Sequence, residues 1–189
     1  TAVNHHTYRF ARRAAREGLV VIDDPESILR CSNKVFLAQL MARHRIATPK
    51  TMLIHSRNLS EAASQLGFPC VLKQPDSAFS RGVIKVDSAG SFRRAALDML
   101  ERSDLIVAQA FEPTDYDWRV GVIGGKAFYA CRYYMAKDHW QIVKRDDAGA
   151  KAEGQHETVA IADAPPKVVR AAVEAARAIG DGLYGVDLK

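Results

Sequence analysis

Two lobes of mixed α+β structure are what this sequence predicts, and three observations predict them. Between residues 51 and 109 the patterning runs strand, helix, strand, loop, strand, helix, strand. After residue 113 it changes to long β runs joined at Gly124-Gly125, a strong hairpin signal. Near the end, Pro165-Pro166 starts an amphipathic helix that leads to an apolar strand at 184–188, with proline at the helix position that tolerates it. The chain has 189 residues, 48% hydrophobic and 26% charged. That is an ordinary globular balance with a core to bury.

The elements follow in order. Residues 8–17 read as a helix stopped by Gly18, followed by a short apolar strand at Leu19–Ile22 and a turn at Asp23-Asp24-Pro25. Ser32 is the expected cap for a helix over 33–44, whose apolar positions are Val35, Leu37, Leu40 and Met41. A strand is expected at 51–54 and a helix at 61–66, capped by Ser60 and ended by Gly67. Cys70-Val71-Leu72-Lys73 is the next strand, residues 74–81 form a polar loop, and 82–86 is the returning strand. A helix at 91–102 and a strand at 105–109 complete the first lobe. In the second half, strands are expected at 118–123 and 126–135, and a third at 140–143. Residues 144–157 read as a flexible loop. Val168, Val169, Ala172, Val173, Ala176 and Ile179 form the apolar stripe of the last helix.

Composition also excludes. No apolar run approaches the ~18 residues of a membrane span, and the first residues are not a secretory signal. Cys31, Cys70 and Cys131 are odd in number and far apart, which argues against a disulfide scaffold or a zinc ribbon and fits a reducing cytoplasm. The net charge of +5 suits either a nucleic-acid surface or a polyphosphate pocket. Basic residues are spread along the chain except for Arg9, Arg12, Arg13 and Arg16, and no nucleic-acid-binding motif is present. That weighs against nucleic acid as the partner.

Single residues are less decisive. Lys73 ends an apolar strand, so its stem is expected to be buried and its ammonium to need a partner. The loop after it could wrap phosphate oxygens with backbone N–H groups, with Ser80 and Arg81 adding donors. Taken alone, a snorkelling surface lysine explains Lys73 more readily. Lys34 lies in a first helical turn, where positive charge opposes the helix dipole. An anion nearby would make sense of it, but the penalty is small enough to need no explanation. Arg119 alternates with Trp118 and Val120, so it faces the other side of its sheet. There it is either a clamp for carboxylate or phosphate or an ordinary exposed arginine. Asp187 stands in an apolar strand, either as a metal ligand or as a structural aspartate. The six histidines form no recognisable metal set, and neither a Walker A sequence nor a dinucleotide fingerprint is present.

The order of these features resembles the ATP-grasp superfamily. Ile28-Leu29-Arg30-Cys31-Ser32-Asn33-Lys34, a helix and then Ile46-Ala47-Thr48-Pro49 look like its opening. Val71-Leu72-Lys73 with Ser80-Arg81-Gly82-Val83 resembles its second lysine and phosphate-covering loop. Val107-Ala108-Gln109-Ala110-Phe111 resembles its hinge, Asp117-Trp118-Arg119 its Asp-x-Arg, and Gly185-Val186-Asp187 its first magnesium-binding strand. The branch it is most similar to is the ribosomal-protein glutamate ligase (RimK) type. The resemblance implies an ATP-grasp fold, two α/β lobes with nucleotide between them. Residues 1–27 would be the remnant of a preceding αβ unit, 28–112 the small lobe with its linker helix, and 113–189 the first part of the C-terminal lobe.

Roles come with the resemblance. Lys34 and Lys73 would hold ATP phosphates, and Ser80 would lie in the covering loop. Gln109 and the backbone of Ala110 would meet adenine, and Asp117 would lie near the ribose. Gln141 would sit on the phosphate side. Arg119 would stabilise an acyl phosphate or bind the substrate carboxylate. Asp187 would bind Mg2+ or Mn2+. The implied activity is an ATP-dependent carboxylate–amine ligase. It would join an amino acid to a small molecule or protein C-terminus in the cytoplasm, and a homo-oligomer is compatible with it. A non-catalytic nucleotide-binding module is the alternative. Two departures stand out. The covering loop has Gly82 where the family has several glycines. The family's Glu-x-Asn metal ligands do not follow Asp187 before Lys189, so an incomplete catalytic core is expected.

Overall fold

The computed structural model describes residues 5–77, 82–145 and 151–189. They form two compact units. One is Ile28–Glu112; the other joins His6–Ser27 to Pro113–Lys189.

Helix α1 (His5–Arg16) opens the described chain and gives way to Gly18, whose φ of 82° is the left-handed conformation that suits glycine. The strand expected at 19–22 does not form. Val20 is 93% exposed, and an apolar tetrapeptide with no sheet edge beside it has nothing to pair with. Helix α2 (Pro25–Ser32) and helix α3 (Lys34–Arg43) are separated at Asn33. Asn33, rather than Ser32, is the cap. Its backbone is extended and its Oδ1 accepts from the Val35 and Phe36 N–H groups. Ser32 instead closes α2, donating its hydroxyl to the Leu29 carbonyl. Both residue types cap helices well. The deciding contact is the Asn33 amide on Asp76 at 2.8 Å, a partner too distant in sequence for local pattern to reveal.

Strand β1 (Thr51–Ile54), helix α4 (Leu59–Leu66), strands β2 (Cys70–Lys73) and β3 (Val83–Val86), helix α5 (Ala89–Leu100) and strand β4 (Ile106–Ala110) complete the first unit. Helix α4 begins earlier than expected. Asn58 occupies its cap position, and Ser60 lies inside the first turn. Helix α5 also starts earlier, at a reciprocal capping box between Ser88 and Ser91. The strands pair antiparallel in the order β1-β4-β2-β3. One face buries Ile54, Cys70, Leu72, Ile106 and Ala108 against Leu59, Ala62, Phe92, Ala96 and Met99 of the two helices. Each large side chain removed from water there contributes about 1.5–3 kcal/mol. Thr51, Lys73 and Gln109 are half-buried at the ends of their strands.

In the second unit, strands β5 (Tyr116–Ile123) and β6 (Lys126–Tyr134) form the expected hairpin. Gly124 and Gly125 have φ of 53° and 70°, the positive pair that a tight hairpin turn of the matching twist demands. Strands β7 (Val143–Arg145) and β8 (Lys151–Glu153) pair with each other, and β9 (His156–Val159) adds to β6. The expected strand at 140–143 therefore begins at its last residue, and the expected 144–157 loop contains short strands. Lys151–Glu153 is exposed at all three positions, so it lacks the apolar alternation that marks a half-buried strand. Helix α6 (Pro166–Ile179) and strand β10 (Leu183–Leu188) follow. The sheet order is β10-β5-β6-β9. Its inner face, Trp118, Val120, Val122 and Ala130, packs on Val168, Ala172 and Ala176 of α6. Alternation then sends Asp117, Arg119 and Gly121 of β5 to the outer face, with cross-strand partners Tyr133, Cys131 and Tyr129. The pairing shifts register between Gly121 and Val122. No described helix is long and apolar enough to cross a membrane.

Candidate nucleotide site

In the first unit, the start of α3 is tied to the loop that leaves β2. The Lys34 N–H donates to the Pro75 carbonyl at 3.0 Å. Its ammonium donates to the Ser77 carbonyl and, at 2.9 Å, to the Ser77 hydroxyl. Burial holds the Lys34 ammonium below its usual pKa, and the charge of Asp76 opposes that shift. The loop closes where Gln74 N–H meets the Gly82 carbonyl at 2.8 Å. Gly82 has φ of 60°, and a Cβ there would stand 3.2 Å from the Cβ atoms of Gln74 and Ser77. Glycine is needed at that closure for both reasons. Ser80 and Arg81, assigned above to the covering loop, lie outside the described residues.

Lys73 donates to Gln109 Oε1 at 2.6 Å. Gln109 Nε2 donates to Thr51 Oγ1 at 2.8 Å, and the Thr51 hydroxyl donates to the Pro49 carbonyl at 2.7 Å. A polar row thus crosses β2, β4 and β1. Ala110 gives its N–H to the Lys50 carbonyl, so the backbone group it can offer a base is its carbonyl. Sequence reasoning named Lys34, Lys73, Gln109 and Ala110 but missed Thr51, Asp76 and Ser77. Their contacts depend on strand register and loop closure, which carry no signature in one sequence.

In the second unit, Arg119 and Asp187 are directly opposed on β5 and β10. Arg119 Nε reaches Asp187 Oδ1 at 2.6 Å and Nη2 reaches Oδ2 at 2.8 Å. This fork-on-fork pairing has the strongest geometry available to a carboxylate and a guanidinium. The hydrogen bond to Asp187 raises the Arg119 pKa further above neutrality. The guanidinium also lies 4.9 Å from the centre of the Tyr133 ring. Asp117 accepts from Lys189 at 2.9 Å and from the Thr114 hydroxyl at 3.1 Å, both on Oδ1. Gln141 Oε1 lies 3.3 Å from His139 Nε2, and the Gln141 carbonyl accepts from Ala136 N–H. Among the described residues no group of three His, Cys, Asp or Glu side chains could hold a metal. Asp187, the residue expected to bind a metal, has each of its oxygens paired with Arg119.

The fold is that of the ATP-grasp enzymes. Across 98% of this chain and 64% of the other, it matches a RimK domain ATP-grasp protein from Sphaerobacter thermophilus, with a TM-score of 0.71 and 17% identity. The chain belongs to the family described as the RimK-like ATP-grasp domain, which matches residues 31–188. Among curated relatives, the alpha-aminoadipate–LysW ligase LysX of Saccharolobus solfataricus is 39% identical over 72 residues, covering 38% of this chain and 26% of that protein. A probable alpha-L-glutamate ligase of Parasynechococcus marenigrum is 26% identical over 191 residues, covering 99% of this chain and 39% of the relative. The chain therefore spans less than half the length of these relatives.

Proposed function

We propose that this chain is the nucleotide-binding part of an ATP-dependent carboxylate–amine ligase. The observation that carries the reading is how the two lysines are held. Lys34 is bonded to two oxygens of Ser77 and Lys73 to the amide oxygen of Gln109. The Ser77 acceptors are neutral, so these contacts leave the Lys34 ammonium its charge, with Asp76 close enough to be felt. A partly buried cation with dipolar partners is poised for an anion such as a triphosphate.

In this reading Lys34 and Lys73 bind the phosphates, with Ser80 in the loop above them. Gln109 and the Ala110 carbonyl meet the adenine. Asp117 lies near the ribose, and Gln141 on the phosphate side. A substrate carboxylate oxygen attacks the γ-phosphorus, the bond to the β–γ bridging oxygen breaks, and ADP leaves. An amine nitrogen then attacks the acyl phosphate carbon, inorganic phosphate departs, and the nitrogen loses a proton. Arg119 stabilises the negative charge of the acyl phosphate or anchors the substrate carboxylate. A divalent ion, when bound to ATP, would neutralise phosphate charge; no step here is routed through one. The names of the relatives support an amino acid as one substrate and a carboxylate on a small molecule or protein as the other. Three cysteines without a disulfide support a cytoplasmic setting.

A second reading, a nucleotide-binding module without turnover, is favoured by the engagement of both Asp187 oxygens with Arg119. Two measurements separate them. ATP should raise the melting temperature, and Lys34→Ala and Lys73→Ala should each weaken ATP binding about 10- to 100-fold, the worth of a hydrogen bond to a charged group. The absence of any nucleotide effect sinks both readings. Binding without amino-acid-dependent ADP release in the full-length protein selects the second.

A further inference from the structure

The side-chain amide of Gln109 has one orientation that its neighbours permit. Lys73 is a donor only, so the group facing it at 2.6 Å must be Oε1. Thr51 has a single hydroxyl proton, and it points to the Pro49 carbonyl at 2.7 Å. Towards Gln109 the hydroxyl can therefore only accept, which places Nε2 on that side at 2.8 Å. Turning the amide over would set the ammonium against an amide NH2 and a carbonyl oxygen against a lone pair. Thr51 and Gln109 are direct cross-strand partners, while Val71 rather than Lys73 stands opposite Gln109 on β2. The threonine thus holds the amide from the in-register position.

We infer that Thr51 is a positioning residue that sets the choice between adenine and guanine nucleotides through Gln109. The inference rests on the proposed placement of the purine at Gln109. An amide oxygen has two lone pairs, and Lys73 uses one. The other can accept from an amino group at purine C6, as in adenine. Guanine carries a carbonyl there, and two acceptors would meet. Lys73 still opposes a turn of the amide when Thr51 is absent, but the turned state, whose NH2 suits a guanine carbonyl, then costs one hydrogen bond less. Thr51 touches neither base nor phosphate in this account and acts only by holding the amide.

The test is the ratio of ATP to GTP dissociation constants for the wild-type chain and for Thr51→Val and Thr51→Ser, in one buffer with the same magnesium. The wild type should prefer ATP. Thr51→Val keeps the shape and removes the acceptor, so its ATP:GTP ratio should fall about five- to tenfold, the worth of one hydrogen bond. Thr51→Ser should keep the wild-type ratio, a rescue that a purely structural role does not require. A folded Thr51→Val chain with undiminished preference overturns the inference and leaves ATP binding intact. If valine prevents folding, Thr51→Ala is read by the same criterion. A wild-type chain that binds neither nucleotide overturns the proposed function and this inference with it.

Discussion

At the scale of single residues, Lys34 and Gly121 make the sharpest demands. Burial pushes the Lys34 ammonium below its usual 10.5, so the folded chain gives up that proton at lower pH than the unfolded chain. Between the lowered value and 10.5 the unfolded state binds more protons, and the Lys34 contribution to stability rises with pH. The stability of wild type relative to Lys34→Met should therefore improve as pH rises through the alkaline range towards 10.5, while ATP affinity falls as the ammonium is lost. Denaturant melts and ATP titrations of both chains across that range check the two slopes. Gly121 answers to packing. A Cβ there would stand 2.0 Å from Tyr129 Cε1, so Gly121→Ala must displace the phenol ring at a cost of about 1–3 kcal/mol. Gly121→Ala with Tyr129→Ala should recover part of that loss, which a double-mutant cycle in denaturant measures.

At the scale of elements, the junction of α3 with the loop after β2 is the most exposed to test. Asn33 caps the helix and also donates to Asp76. Asn33→Ala should cost about 1–2 kcal/mol, while Asn33→Asp keeps the cap but sets its charge beside Asp76. Thermal melts with and without ATP would show whether the loop anchor matters beyond the helix. This junction also shows what local sequence conveys. The helix over 33–44 and Lys34 in its first turn were legible, because capping types and apolar spacing are local, whereas α2 before it was not read. The choice of Asn33 over Ser32 was not, since Asp76 decided it from another element. The strands at 70–73 and 126–134 were legible from apolar runs and a glycine turn. The pairs β7 and β8 were not, because short polar strands owe their existence to each other. For the candidate site, the two lysines could be named in advance, but Asp76, Thr51 and Ser77 emerged only from register and loop closure.

At the scale of the whole molecule, the net charge of +5 should assist capture of a polyanion. ATP affinity should weaken several-fold as salt rises from about 0.05 to 0.5 M, because screening shortens the reach of exposed charge; titration calorimetry across that series checks it. Reductant should leave the melting temperature unchanged, since none of the cysteines is cross-linked.

The register shift between Gly121 and Val122 acts as a parity rule for the β5–β6 hairpin. On one side of it Val122 faces Ala127; on the other, Gly121 faces Tyr129, so Phe128 is the supernumerary residue. Side chains alternate with a period of two, and leaving one residue out of the pairing lets the alternation resume in phase with β5 beyond it. The bulge at Phe128 is thus what lets a phenol, and not a phenyl ring, lie over the glycine beside Arg119. It also keeps Ala130 inside and Cys131 outside. Deleting that single residue should therefore remove the bulge and leave Tyr129, Ala130 and Cys131 on their present faces and opposite their present partners.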